Sequence, residues 1–157
     1  MAAEIRRQKK WHPLGDMAIV CRFKSQLQGL QAMLAGKGIT CSQFTEKDVR
    51  FDSESVKLIT LHSIKGLEFP LVFIVGLEEG VFPIDRGDQD HDEIEEERRL
   101  CYVGITRAQR ALILSAARER ASYATSWTRE PSRFLCELDR ETLDERGRQQ
   151  LDAFGLS

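Results

Sequence analysis

Residues 60–69, which read TLHSIKGLEF, bring together two hydroxyls, an imidazole, a lysine, a glycine and a carboxylate. They continue the apolar run VKLI of residues 56–59, which predicts a strand that ends where this segment begins. Loops at the carboxyl ends of parallel strands are where open α/β sheets bind ligands. The segment is therefore a candidate ligand-binding loop.

The side chains of this loop suit a phosphate-bearing ligand. Thr60, His62 and Ser63 are short hydrogen-bond donors of the kind that hold a phosphodiester backbone without reading bases. Gly66 lets the backbone come close to a ligand, and a helix could start just after it. Glu68 offers a carboxylate suited to ribose hydroxyls, as in dinucleotide sites. A lone histidine is more often structural, so these residue types leave the ligand open.

A second stretch, RRLCYVGITRAQR at residues 98–110, lies on a predicted helix over 92–108. Leu100 and Val103 share one face of this helix, and Arg107 falls on the same stripe at the helix end. An arginine there could meet a polyanion. Its ordinary role is to interact with the negative end of the helix dipole, and the spacing alone favours that role.

The elements that must position these residues alternate between strands and helices. Helical spacing of Leu27, Leu30, Met33 and Leu34 predicts a helix closed by glycines at 36 and 38. A short helix is predicted to open at Pro131. Such alternation implies a mostly parallel sheet covered on both faces. The predicted strands are 17–21, 39–44, 56–61, 71–75 and 111–114.

Composition limits the function classes. The 157 residues are enough for one domain, and 41% hydrophobic with 31% charged residues is typical of a globular protein. With a net charge of -2, any polyanion site must be a local patch. The four cysteines form no CxxC pair, which favours reduced thiols in a cytoplasmic protein over a zinc or disulfide framework. No apolar run approaches the roughly 20 residues of a membrane span, so no membrane partner is expected.

Residues 85–97 contain eight carboxylates and one arginine. Their spacing matches no calcium loop, and carboxylates complement the positive end of a helix dipole. We therefore expect a solvated loop that leads into the first turn of a helix, and no metal site.

Two long stretches resemble motifs V and VI of superfamily I DNA helicases of the UvrD/Rep/PcrA type. They read TLHSIKGLEFPLVFIVGLEEGVFP at 60–83 and EEERRLCYVGITRA at 95–108. DMAIVCR at 16–22 and PSRFL at 131–135 resemble the opening strand and closing helix of the same domain. The resemblance implies a RecA-like, P-loop NTPase-type three-layer α/β sandwich over residues 16–139. Residues 1–15 are then a flexible segment and 140–157 a tail.

The resemblance also implies roles for single residues. Arg107 resembles the motif VI arginine that reaches the γ-phosphate across an interdomain cleft, which makes it the catalytic candidate. Glu68 matches the carboxylate that binds the nucleotide ribose, and Gly66 is assigned to the same ATP site. Thr60 and His62 match positions that hold single-stranded DNA, and Ser63 and the Gly66 amide are expected to help.

Arg22 matches a position near the DNA channel, although Phe23 and Lys24 depart from the small polar pair usual in the family. The implied function is the second motor domain of an ATP-dependent DNA helicase, with ATP, Mg²⁺ and an N-terminal RecA-like domain of the same parent as partners. The chain contains no GxxxxGK[ST] and no apolar strand ending in Asp-Glu. It is therefore expected to be inactive alone, with Mg²⁺ held mainly by the other domain. The short connection 45–55 implies a parent without a large insertion there, or one from which the insertion has been deleted.

Two other functions compete with a motor domain. One is a non-catalytic module of a DNA repair or recombination complex, descended from a helicase. The other is a free-standing α/β nucleotide-binding protein. Retention of Arg107 and Glu68 argues against the first alternative, and the length and order of the resemblance argue against the second.

Overall fold

Five short strands form a sheet in which every neighbouring pair is parallel, within the residues that the structure describes. This arrangement confirms the predicted α/β fold class. The strand order is β2-β3-β1-β4-β5. The strands are β1 Met17–Cys21, β2 Cys41–Gln43, β3 Val56–Thr60, β4 Phe69–Val75 and β5 Ala108–Ser115.

The structure is a computed structural model that describes residues 1–44, 54–84, 91–122 and 125–155. Much of the predicted connection 45–55, and the first part of the acidic run 85–97, lie outside these ranges. The helices and the remaining strands are α1 Ala2–Gln8, α2 Lys24–Ala35, α3 His91–Ile105, β6 Glu119–Ser122, β7 Thr125–Thr128, α4 Arg133–Cys136 and α5 Glu145–Ala153. None of the described helices has the length and apolar character needed to cross a membrane.

The chain divides into two compact units. The first, which we call the sheet unit, comprises Met1–Gly76 and Arg99–Ser115. The second, the hairpin unit, comprises Leu77–Arg98 and Ala116–Ser157 and contains the antiparallel pair β6–β7. The predicted boundaries at residues 16 and 139 stay predictions.

The sheet is buried because its central strands are apolar on both faces. Every residue of β1 is buried. Met17, Ile19 and Cys21 pack in one cluster with side chains of α1 and α2, whereas alternation turns Ala18 and Val20 to the opposite face. On that opposite face Gly104 of α3 lies against Ile74 of β4. Helices therefore cover both faces, as the resemblance implied.

The amino-terminal segment differs from the frayed end that its polar sequence predicted. Residues 2–8 form α1, and the side chain of Ile5 is fully buried in the core. A single apolar residue gives too weak a periodicity to reveal a helix of two turns. Burial of such a side chain contributes about 1.5–3 kcal/mol, which helps to hold this short helix against the sheet.

Two consecutive carboxylates join separate segments of the hairpin unit. Glu78 is buried, and its Oε1 accepts a hydrogen bond of 2.7 Å from the amide of Ala117. Glu79 forms an ion pair of 2.7 Å with Arg133 at the start of α4. The Glu-Glu pair of GLEEGVFP thus has a structural use in this unit.

The carboxyl-terminal tail, for which only a few apolar anchors were predicted, contains α5. Asp144 caps this helix by accepting a hydrogen bond of 2.7 Å from the amide of Gly147, and Leu151 is buried. Gly155 follows the helix with a φ of 77°, the left-handed conformation usual after a helix end.

Candidate nucleotide and single-strand sites

Arg22 and His62 meet at the carboxyl ends of two adjacent strands. Arg22 follows β1 and His62 lies two residues beyond β3, and the register pairs Cys21 with Thr60. Arg22 Nη1 lies 3.5 Å from His62 Nδ1. The amide of Leu61 donates to the carbonyl of Cys21 at 2.9 Å, which ties the two strand ends together. The structure therefore brings together two residues that lie 40 positions apart in sequence.

Thr60 and Ser63 complete this cluster through a tight turn. The amide of Ser63 donates to the carbonyl of Thr60 at 3.0 Å, and Thr60 Oγ1 donates to Ser63 Oγ at 3.0 Å. Both hydroxyls are half-buried, and the His62 side chain beside them is exposed. Arg22, Thr60, His62 and Ser63 are called the carboxyl-end group below. The group offers a cation, an imidazole and two hydroxyls on one surface.

The segment 61–68 crosses from the carboxyl end of β3 to the amino end of β4, past the intervening strand β1. Leu61 and Ile64 are fully buried and anchor the crossing. Gly66 has a φ of 83° with no neighbouring atom within 4 Å of a Cβ at this position. Backbone conformation therefore requires the glycine. No helix starts after Gly66, contrary to the expectation, because β4 begins at Phe69.

Glu68 and Arg107 lie at the opposite end of the sheet. Glu68 directly precedes β4 and Arg107 directly precedes β5, and the first residues of these strands, Phe69 and Ala108, are paired. The amide of Phe69 donates to the carbonyl of Arg107 at 3.0 Å. The expectation that the whole loop lies at the carboxyl ends is thus wrong for Glu68. We call Glu68 and Arg107 the amino-end pair.

The carboxylate of Glu68 is exposed, and its Oε2 accepts a hydrogen bond of 3.2 Å from Gln109 Nε2. Gln109 lies on β5, so this contact joins Glu68 to the strand that follows Arg107. An exposed carboxylate with one weak partner among the described residues remains able to accept further hydrogen bonds from hydroxyl groups.

Arg107 lies beyond its helix, because α3 ends at Ile105 and not at Ala108. Its Nε donates to the carbonyl of Val103 at 3.1 Å, and its Nη2 donates to Thr106 Oγ1 at 3.0 Å. The ordinary role at a helix end is therefore present. Nη1 makes no hydrogen bond to a residue within the described ranges, so the planar guanidinium keeps donors for an anion.

Sequence reasoning missed Gly104, which lies in the last turns of α3. A Cβ at this position would come within 2.5 Å of Leu61 Cδ2 and 3.2 Å of Ile74 Cδ1. The helix backbone therefore packs directly on Leu61, the first buried residue of the crossing segment. In a single sequence, a glycine that is needed for close packing looks the same as a glycine that merely weakens a helix.

The thiol of Cys21 lies at the carboxyl end of β1, next to Arg22. Burial raises the pKa of the Cys21 thiol to about 12, although its hydrogen bond to the carbonyl of Phe23 opposes this shift. The thiol is therefore protonated at neutral pH and is a poor nucleophile. Within residues 1–44, 54–84, 91–122 and 125–155, no group of three or more His, Cys, Asp or Glu side chains could hold a metal ion.

Residues 42–119 match the sequence model of the UvrD-like helicase C-terminal domain. The chain is 53% identical over 90 residues to the ATP-dependent DNA helicase PcrA of Leuconostoc citreum, a match that covers 57% of this chain and 12% of the relative. It is 49% identical over 108 residues to the ATP-dependent DNA helicase Rep of Salmonella typhimurium, which covers 65% of this chain and 16% of the relative. The chain thus spans a small part of these relatives.

A solved structure has a similar fold. It is the C-terminal domain of a possible DNA helicase from Lactobacillus plantarum, with a TM-score of 0.55 and 21% identity. The match covers 74% of this chain and 66% of that chain. At this identity the likeness concerns the fold alone.

Proposed function

Because residues 42–119 match the sequence model of the UvrD-like helicase C-terminal domain, we propose that the chain is the second motor domain of an ATP-dependent DNA helicase. In this proposal the amino-end pair completes an ATP site against another RecA-like domain of the parent. The carboxyl-end group holds the backbone of single-stranded DNA. The two sites take different ligands and lie at opposite ends of one sheet.

One observation carries the proposal of an ATP site: a carboxylate and an arginine precede two paired strands and are joined by the hydrogen bond from Phe69 to Arg107. Glu68 suits ribose hydroxyls, which donate hydrogen bonds to an ionised carboxylate. Arg107 suits a γ-phosphoryl group, on which negative charge must be stabilised during transfer. Gly66, two residues before Glu68, has the positive φ of 83° that the turn before this carboxylate requires.

The carboxyl-end group supports the proposal of a single-strand site by its chemistry. The hydroxyls of Thr60 and Ser63 and the guanidinium of Arg22 are phosphate-binding groups that carry no base specificity. His62 is exposed beside Arg22, so both can reach one phosphodiester group. We expect binding that is independent of sequence and that weakens as salt is added.

Two features couple the proposed sites. The crossing segment 61–68 begins next to Thr60 and ends with Glu68. A displacement of the backbone at either end must therefore be absorbed within these eight residues or be transmitted to the other end. Gly104 packs the helix that leads to Arg107 against Leu61 in the same segment. A shift of Arg107 toward a γ-phosphate would therefore press on the residue next to Thr60.

The residues of this chain provide only some of the groups that ATP hydrolysis requires. The chain has no phosphate-binding loop of the GxxxxGK[ST] type. The described side chains also offer no cluster that would hold Mg²⁺. In the proposal the other RecA-like domain supplies both, and the isolated chain hydrolyses no ATP. Arg107 then acts only when that domain presents the nucleotide.

The test uses the full-length parent and steady-state ATPase kinetics with saturating single-stranded DNA. Arg107→Ala should lower kcat by about 10³ to 10⁵, as the loss of comparable arginine fingers does. The KM for ATP should change far less, because the arginine meets charge that develops only in the transition state.

Arg110→Ala is the matched control, since Arg110 is exposed on β5 three residues further along. It should leave kcat within twofold of the unmodified parent. If Arg107→Ala keeps near-normal turnover and only lowers the melting temperature, Arg107 is a helix-end residue and the proposed ATP site is wrong.

A non-catalytic interaction module is the second candidate. The observation that favours it is the hydrogen bonding of Arg107 to Val103 and Thr106, which gives this arginine a structural use without any nucleotide. If the chain is such a module, Arg107→Ala should leave the ATP turnover of the parent unchanged. The motor proposal expects the opposite result.

A further inference from the structure

Trp11 is the most exposed large apolar side chain in the described part of the chain, with 77% of its surface accessible. Lys9 and Lys10 precede it directly, and both are exposed. Tryptophan is one of the largest side chains, and its burial contributes strongly to stability. An exposed tryptophan beside two cations therefore points to a ligand that has both apolar faces and negative charge.

The support beneath Trp11 is well anchored. Ile5 of α1 is fully buried in the core of the sheet unit. The amide of Trp11 donates to the carbonyl of Gln8 at 2.9 Å, which continues the helix into a turn. Arg6 Nη2 donates to the carbonyl of Lys37 at 2.6 Å and so joins α1 to the turn before β2. We call Lys9, Lys10, Trp11 and Lys37 the Trp11 patch.

The patch is strongly basic in a chain whose net charge is -2. Residues 1–12 contain four Lys or Arg residues and one carboxylate, Glu4. That carboxylate is already engaged, because Arg7 lies 2.6 Å and Gln8 2.9 Å from its Oε1. A helix dipole accounts for Lys9 at the end of α1. It does not account for Lys37, on another element, or for Trp11.

We propose that the Trp11 patch is a second contact for single-stranded nucleic acid. The lysines would neutralise phosphates, and an unpaired base would stack on the indole ring. This combination of cations and an exposed aromatic ring is how proteins bind single strands without sequence preference. An acidic protein segment would use the lysines but would give the indole no planar partner.

The patch is distinct from the carboxyl-end group. Trp11 precedes β1 in the chain, and Lys37 lies in the connection between α2 and β2. Arg22 and His62 follow the carboxyl ends of β1 and β3. The inference does not depend on ATP hydrolysis or on the proposed motor function.

Tryptophan fluorescence of the 157-residue chain tests the proposal. The chain has two tryptophans, so Trp127→Phe leaves Trp11 as the only reporter. Titration with a 20-nucleotide oligo(dT) should quench this fluorescence saturably, and an abasic strand of the same length should quench it far less. Should Trp127→Phe fail to fold, Trp11→Ala in the unmodified background should abolish the quenching instead.

Charge reversal provides the second arm. Lys9→Glu/Lys10→Glu should weaken oligo(dT) binding at least tenfold, because fewer phosphates are neutralised. Arg146→Glu/Arg148→Glu on α5 changes the net charge equally and should leave the Trp11 signal within twofold.

Absence of quenching by oligo(dT) would overturn the proposal. Equal quenching by the abasic strand, or by polyacrylate, would also overturn it, because the patch would then bind any polyanion without stacking. An equal loss of affinity in the Lys9/Lys10 and Arg146/Arg148 variants would have the same consequence, since it would reflect net charge alone.

Discussion

The two ends of the parallel sheet carry different chemistry within one unit. The carboxyl-end group consists of side chains that already contact one another, through the turn from Thr60 to Ser63 and the approach of Arg22 to His62. The amino-end pair is held by backbone instead, through the hydrogen bond from Phe69 to Arg107. A single segment of eight residues joins the two ends.

This difference suggests how two ligands could be coupled in a domain of this size. Side chains bonded to one another can exchange those bonds for contacts with a phosphodiester backbone. At the other end, the backbone hydrogen bond from Phe69 to Arg107 holds together the chain positions from which the carboxylate and the arginine project. We therefore expect the proposed nucleotide site to depend on backbone pairing, and the proposed strand site to depend on adaptable side-chain donors.

The largest expected effect separates the two uses of Arg107. Arg107→Lys retains a positive charge near the helix end, so the structural use should largely survive. The lysine lacks the planar fork that grips two phosphate oxygens. In the full-length parent, kcat should remain at least about 100-fold below that of the unmodified enzyme, within the range lost with an arginine finger. A lysine variant with near-normal kcat would mean that charge alone suffices.

Gly104→Ala should disturb the link between the two ends. The added methyl group would lie 2.5 Å from Cδ2 of the fully buried Leu61, so the Leu61 side chain or the helix must shift. We expect a loss of about 1–3 kcal/mol in the free energy of unfolding, as for other overpacked cores. Urea denaturation of the 157-residue chain measures this quantity.

Gly29→Ala is the control, because Gly29 lies in α2 with no atom within 4 Å of its Cβ position. It should stabilise the chain by about 0.8–1 kcal/mol through helix propensity. If both substitutions stabilise the chain, α3 does not pack on Leu61 as described.

A smaller effect is expected for Thr106→Val, which removes the hydroxyl that accepts from Arg107 Nη2. One hydrogen bond contributes about 0.5–1.5 kcal/mol, so kcat of the parent should fall roughly 2- to 13-fold. The KM for ATP should stay unchanged, because Thr106 positions the arginine and has no proposed contact with the nucleotide. A rise in KM without a fall in kcat would contradict this positioning role.

The sequence predicted the elements whose burial is continuous. Strands β1, β3 and β4 are predicted from the sequence, because a short continuous run of apolar residues such as 17–21 is typical of a buried strand. The helix α2 was found from its leucine spacing. The order of the strands in the sheet does not follow from any local sequence pattern. It depends on which neighbouring strand each connection passes before the chain re-enters the sheet.

What the sequence could not give was the placement of the candidate residues. The helical stripe through Leu100 and Val103 continued past the true helix end, so Arg107 was expected on α3. The end of α3 depends on the pairing of Ala108 with Phe69, 39 residues away in sequence. The capping residue Asp144 and the glycine at 155 did carry the signal for α5, which a search for caps would have found.

The most direct test of separate sites compares Glu68→Ala with His62→Ala in the full-length parent. Two constants are measured for each variant: the KM for ATP at saturating DNA, and the Kd for single-stranded DNA without nucleotide. Glu68→Ala should raise the KM about tenfold, as the loss of hydrogen bonds to a charged group would, and leave the Kd within twofold. His62→Ala should weaken DNA binding and spare the KM. If both variants change the same constant, the two ends of the sheet do not serve separate ligands.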